Sequence, residues 1–113
     1  MRFLMIVAED PNAEPYSAED DDIEKWVAYV RSKNAEVLGS RLRPAAEGKT
    51  VRIRGGELRV TDGPFAESKE FIAGFDVLEC ESLAEAVEIA SRHPMARFGQ
   101  LEVREFWPFE NEA

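Results

Sequence analysis

The chain has 113 residues, of which 44% are hydrophobic and 33% charged, and its formal net charge is −9. That length suffices for a single domain, residues 1–113, with its own core. The lone cysteine, Cys80, excludes an intramolecular disulfide and a cysteine-rich zinc site, and the acidic field argues against a general nucleic-acid or anionic-membrane binder.

After Arg2 the chain opens with an unbroken apolar run to Ala8, the pattern of a strand covered on both sides. The run is too short to span a membrane and too abruptly acidic for a signal peptide, so a cytoplasmic protein is expected. Asp10 to Pro15 is loop by composition. Ser17 followed by Asp20 reads as a capping box. Ile23, Trp26, Val27 and Val30 then form one apolar stripe, predicting a helix over 18–34. Its acidic start, Glu19 to Asp22, reads as a solvated first turn in a favourable dipole rather than a metal site.

A second strand is expected over 36–43, broken by Pro44. Two alternating segments, 50–54 and 57–61, flank Gly55-Gly56 and predict a two-residue hairpin. Val51 and Ile53 share a face, as do Leu58 and Val60, leaving Arg52, Arg54 and Arg59 on the wetter side. From Ser40 to Thr61 six basic residues stand against two acidic ones, a local balance of +4 in an acidic chain. Such a patch suits a small anion or an acidic partner surface, and it equally suits a solvated strand face.

Between the hairpin and the next strand lies the turn Thr61-Asp62-Gly63-Pro64-Phe65-Ala66-Glu67-Ser68-Lys69-Glu70. Gly63 permits a backbone conformation closed to other residues, and Pro64 stiffens the turn by fixing its own φ. Residues 71–80 then read as a long central strand with Phe71, Ala73, Phe75 and Val77 on one face and Ile72, Gly74, Asp76, Leu78 and Cys80 on the other. Two apolar faces need two covers. Helices supply one; the other calls for a second sheet or a second subunit. Asp76 is the misfit, a carboxylate that must be paired, hydrogen bonded or exposed in a cleft. Ser82 to Glu85 is another capping box, opening a helix to about Arg92 with Leu83, Ala86, Val87 and Ala90 as its stripe. His93-Pro94 ends it, and a last strand covers 100–106. With the hairpin set aside, the order is β-α-β-β-α-β. That pattern predicts an α+β, ferredoxin-like fold with an inserted β-hairpin.

The segment Asp62 to Glu70 resembles the signature of YCII-related proteins of the DGPF type. Phe3-Leu4-Met5-Ile6, Gly48-Lys49-Thr50-Val51, Gly74-Phe75 and Leu101-Glu102-Val103-Arg104 are similar to other parts of that family's pattern. The resemblance implies a ferredoxin-like subunit in a homodimer whose sheets face each other. It also implies kinship with small enzymes that isomerise or dehydrochlorinate ring compounds. Family members are described with a histidine–aspartate pair; its aspartate carries over onto Asp62, while the only histidine here is His93. In short-type members a histidine can stand where this chain has Phe65, which transfers no proton. Neighbouring sigma-factor genes in the family imply a regulatory setting and a regulatory protein as partner.

Weighed as chemistry, Asp62 is either a general base or its orienter, or else an Asx-type cap that shapes the turn. Glu67 and Lys69 form a cleft ion pair, with Lys69 holding a substrate carboxylate, or are plain surface charges. Ser68 lacks a neighbouring histidine for a nucleophilic role and counts only as a binding candidate. Arg43 is a candidate anion anchor from the basic stretch. His93 either shuttles a proton or caps the last carbonyls of its helix. Asp76 is a cleft carboxylate facing the arginine-bearing segment, or one member of a salt bridge between subunits. Trp26 and Cys80 read as core, and Trp107 and Phe109 as cover for a sheet edge, a partner contact or a ligand wall. No cofactor fingerprint is present. The expected function is cofactor-free acid–base chemistry, of lyase or isomerase type, on a small anionic or aromatic molecule. The rival is a non-catalytic regulatory or metabolite-sensing module.

Overall fold

A computed structural model describes residues 1–63 and 71–110. Four strands, β1 (Arg2–Ala8), β2 (Glu36–Arg41), β5 (Ile72–Glu79) and β6 (Gln100–Glu105), form one sheet in the order β2-β5-β1-β6. Every neighbouring pair in it is antiparallel. The hairpin strands β3 (Lys49–Arg54) and β4 (Glu57–Asp62) form a separate two-stranded sheet. The helices are α1 (Ile23–Ser32), α2 (Leu83–Ser91) and the single turn α3 (Met95–Phe98). Antiparallel strands with few helices make an α+β architecture, compatible with a ferredoxin-like fold.

The core explains which face the helices cover. Phe3, Met5 and Val7 of β1 and Leu78 of β5 are buried in one cluster with Trp26 and Val30 of α1 and Ala86, Ile89 and Ala90 of α2. Trp26 Nε1 donates to the Ile89 carbonyl at 2.9 Å, joining the two helices through a buried hydrogen bond. The opposite face holds Leu4, Ile6, Phe75 and Val77 half-buried and Leu38 exposed. The continuous apolar run of β1 therefore divides into a fully covered set and a half-open set.

Local chemistry sets several boundaries. The hairpin turns on Gly55 (φ 59°) and Gly56 (φ 78°), the positive-φ pair that matches strand twist. Asn34, at φ 53°, ends α1 in the left-handed region, and the Ala35 amide reaches back to the Val30 carbonyl at 3.1 Å. That closure turns the chain straight into β2 and places Glu36 at its first position. Ser82 accepts the Glu85 amide at 3.1 Å, the expected cap of α2.

Three expectations shift. Helix α1 begins at Ile23, not near 18, because Asp21 is extended (φ −85°, ψ 98°) and residues 18–20 form only a 3-10 turn. The Asp21 carboxylate accepts the Ile23 amide at 3.2 Å and the Tyr16 hydroxyl at 2.5 Å, so Asp21 rather than Ser17 shapes this entry. The buried stripe of α2 is Ala86, Ile89 and Ala90, while Leu83 and Val87 are exposed. Strand β2 stops at Arg41, with an irregularity between Glu36 and Leu38.

The hairpin stands apart from the core. Val51 and Ile53 pair with Val60 and Leu58, and all four side chains are exposed. The radius of gyration is 16.3 Å, against roughly 13 Å for a compact domain of this length.

Candidate functional site

The site grows from a mismatch in the core. Asp76 lies opposite Met5 on β1 and Gly39 on β2. Facing residues in an antiparallel ladder share a side of the sheet, and Met5 is fully buried beneath the helices. Asp76 therefore points to the helix-covered side. Room for it comes from Gly39, where a Cβ would lie 2.0 Å from Asp76 Oδ1. Gly74 likewise admits the Ser40 carbonyl, which a Cβ there would meet at 2.9 Å.

Beside Asp76 the start of α1 and the turn after α2 do not close onto the sheet, leaving a cleft of about 440 Å³. Val7, Trp26, Val27, Pro94 and Met95 give it apolar walls, and Asp21, Glu36, Ser40, Arg41, Asp76 and His93 bring polar groups to it. Its volume falls in the range that holds small molecules. The wall on the α1 side is braced by Arg97, which bonds Glu14 at 2.7 Å, and by Tyr16 packed edge-on against Phe98 at 5.4 Å.

Burial pushes the Asp76 carboxyl up to about 7, and the nearby Glu36 charge adds to the shift. No protein group hydrogen bonds to Asp76 among the described residues, and no buried side-chain oxygen is left unsatisfied there, so its oxygens open on the cleft. His93, 8% exposed, is the one buried polar or charged side chain among the described residues. Burial lowers it to about 4, against the opposing pull of Asp21 and Asp22. Its Nδ1 accepts the Met95 amide at 3.0 Å, and its ring packs edge-on against Trp26 with centroids 4.7 Å apart. A neutral imidazole that accepts at Nδ1 carries its proton on Nε2. The alternative of a histidine capping the last helix carbonyls is not what the ring does; it takes an amide from the next turn instead.

The other candidates lie elsewhere or outside the described residues. Asp62 ends β4 opposite Lys49, and its carboxylate, 81% exposed, makes an ion pair with the Lys49 ammonium. Asp62 is not among the cleft walls. The Gly63 amide beside it bonds the Gly48 carbonyl at 2.9 Å, which pins the hairpin base. Arg43 is exposed and grips Glu47 through two bonds of 3.1 and 2.8 Å, also away from the cleft. Glu67, Ser68 and Lys69 lie outside the described residues. Two of the seven candidates, Asp76 and His93, thus meet in one cavity.

Sequence reasoning does not single out Glu36 or Asp21 as cleft residues, whereas Arg41 belongs to the basic stretch expected to hold charge there. Glu36 carries a usable signal, since a carboxylate opening a strand directly after a helix stop must sit near a helix–sheet junction. Trp26, expected as core, is both core and cleft wall. Cys80 is buried, and Trp107 is 96% exposed. Among the described residues no group of three or more His, Cys, Asp or Glu side chains is placed to hold a metal ion. No helix there is long and apolar enough to cross a membrane.

An uncharacterized protein of Rhizobium meliloti (strain 1021) is 41% identical over 76 residues, covering 64% of this chain and 61% of the relative. The chain thus spans about three fifths of the length of that relative. Among solved structures, a match spans 100% of both chains at 17% identity and a TM-score of 0.49. It is 5-chloro-2-hydroxyhydroquinone dehydrochlorinase (TftG) from Burkholderia phenoliruptrix, in complex with 2,5-dihydroxybenzoquinone. The YCII-related domain matches over residues 1–110, nearly the whole length, and the chain belongs to that family.

Proposed function

We propose that this chain is a small-molecule-binding protein whose cleft carries acid–base chemistry of the isomerase or lyase type, centred on Asp76 and His93. The observation that carries this reading is a half-buried carboxyl poised at about 7, opening without a protein partner into an apolar-walled cleft of about 440 Å³. A carboxyl tuned to neutrality both takes and returns a proton at neutral pH. In an isomerisation, ionised Asp76 takes a proton from a substrate carbon, the electron pair moves into the substrate, and the carboxylic acid returns the proton to a different carbon. In an elimination, the same electron pair expels the leaving group. His93, neutral at pH 7, donates a hydrogen bond from Nε2 to charge developing on a substrate oxygen. The scheme uses no cofactor.

The proposal includes a homodimer. The half-open apolar face of the sheet and the exposed apolar side of the hairpin are both surfaces that a second copy would cover. It also moves the base from Asp62, the position implied by the family signature, to Asp76.

A second reading, a regulatory module that docks an acidic partner, is favoured by one feature. Arg54 and Arg59 are exposed on the hairpin together with Asp62. One experiment separates the two: a library of small aromatic and alicyclic compounds screened by thermal shift against wild type, Asp76→Asn and Asp62→Asn. Ligands that stabilise wild type and Asp62→Asn but not Asp76→Asn support the cleft chemistry. Ligands that lose their effect only in Asp62→Asn would return the site to the hairpin base, and a screen without hits favours the regulatory module.

A further inference from the structure

The charges of the cleft bear on what enters it, and this inference rests on the cleft reading above. Three carboxyl groups reach the cavity, from Asp21, Glu36 and Asp76, against one cation, Arg41. Their situations differ. Asp21 is occupied, accepting from the Tyr16 hydroxyl and the Ile23 amide. Arg41 is exposed, so water already solvates its charge and a contact with it is worth little. Glu36 and Asp76 are both half-buried and have no hydrogen-bond or ion-pair partner among the described residues. A desolvated charge gains most from an opposite charge brought to it, because little solvation is left to lose. The unmet demand of this cavity is therefore for a cation.

We infer that the cleft takes a small organic ammonium compound, a protonated amine on an aromatic or compact apolar body, with the ammonium set between Asp76 and Glu36. The apolar body lies along Trp26 and Met95. This departs from the anionic ligand that the basic stretch suggested: Lys49, Arg52, Arg54 and Arg59 belong to the hairpin, and among the cleft walls only Arg41 of that stretch appears.

The charge rule has a pH consequence. The groups at the cleft that face Asp76 are Glu36 and Arg41 from β2, His93 from the turn after α2, and Asp21 from the entry to α1; its β1 neighbour, Met5, carries no charge. His93 stays neutral down to about 4, while Asp76 changes charge at about 7. An ammonium ligand binds its ionised form. Affinity then falls about tenfold for each unit below pH 7, since the competent fraction falls so.

The test uses three probes of nearly equal shape, benzylamine, benzyl alcohol and benzoate, with the indole N–H resonance of Trp26 as reporter and that of exposed Trp107 as control. The expected result is saturable movement of the Trp26 signal with benzylamine and weaker or no movement with the other two. Affinity should fall as pH is lowered from 8 to 5 and drop at least tenfold in Asp76→Asn. Glu36→Gln, at the start of β2, provides a second variant and should weaken benzylamine in the same direction. Benzoate or benzyl alcohol binding as tightly as benzylamine would overturn the cationic assignment and leave the cleft standing. So would benzylamine affinity indifferent to pH and to both substitutions. No response of Trp26 to any probe would overturn the cleft reading itself, and this inference with it.

Discussion

Asp76 and Gly39 face each other across β5 and β2, and the Asp76 carboxylate occupies the space that a side chain on Gly39 would fill, with Oδ1 only 2.0 Å from a Cβ built there. A glycine on an edge strand costs conformational entropy and gives up packing, and here the vacated volume goes to an ionisable group. The absence of a side chain on Gly39 is what makes room for the Asp76 carboxyl beside β2.

Gly39→Ala tests whether that space holds the carboxyl in place. The clash falls mainly on a side chain that can rotate, so the fold should survive with a stability change within about 1 kcal/mol. Asp76 must swing away from β2, toward the solvent of the cleft, and its titration midpoint should fall below about 7. A carbon-detected NMR titration of the carboxyl checks this; an unchanged midpoint would show that Gly39 does not hold the group.

Asp76 and His93 make opposite contributions to the dependence of stability on pH. The folded state raises Asp76 from 3.8 to about 7, so its contribution is full below 3.8 and is lost as pH rises through about 7. The folded state lowers His93 from 6.5 to about 4, so its contribution is full above 6.5 and is lost as pH falls through about 4. Urea unfolding from pH 4 to 8 separates the two. The stability of wild type minus that of Asp76→Asn should decline with rising pH up to about 7. Wild type minus His93→Gln should rise across the window from about 4 to 6.5. Parallel curves in either comparison would contradict the corresponding assignment.

Trp26→Phe removes the bond to the Ile89 carbonyl and part of the ring that packs on His93. A buried acceptor loses its side-chain donor and a void opens, so a loss of about 2–4 kcal/mol is expected. Because the void adjoins the cleft, apolar ligands should also bind more weakly, read by calorimetry on the folded variant.

The ion pair of Asp62 with Lys49 joins two exposed side chains. Asp62→Asn should therefore cost less than about 1 kcal/mol and leave cleft affinity within twofold of wild type. A tenfold loss of affinity would place Asp62 at the site after all.

Ile53 is 66% exposed on the hairpin. Ile53→Glu should change the stability of the subunit by no more than about 0.5 kcal/mol while weakening self-association, as followed by sedimentation at micromolar concentration. Wild type that sediments as a monomer would remove the dimer from the proposal.

The features legible in the residues alone are those set by short-range physics. Gly55-Gly56 between alternating segments specifies the hairpin, since two positive-φ residues are what such a turn requires. Ser82 with Glu85 marks the start of α2 through a bond three residues long. The strand at 72–79 and the singular position of Asp76 come from a period of two. The start of α1 is harder to read because the residue that shapes it, Asp21, lies outside the Ser17 capping box and accepts both the Ile23 amide and the Tyr16 hydroxyl.

The site itself needed the third dimension. Alternation says which residues of β5 share a face, but not which face the helices take. That choice belongs to the packing of α1 and α2 on β1, and it turns Asp76 inward beside Met5. His93 comes to the same cavity only because α2 packs beside α1 and its ring meets Trp26. The family signature, strong as a pattern, points to the hairpin base, where Asp62 is solvated and paired. Local order is written in neighbouring side chains; the raised pKa of Asp76 arises from desolvation, which depends on residues distant in the chain coming together.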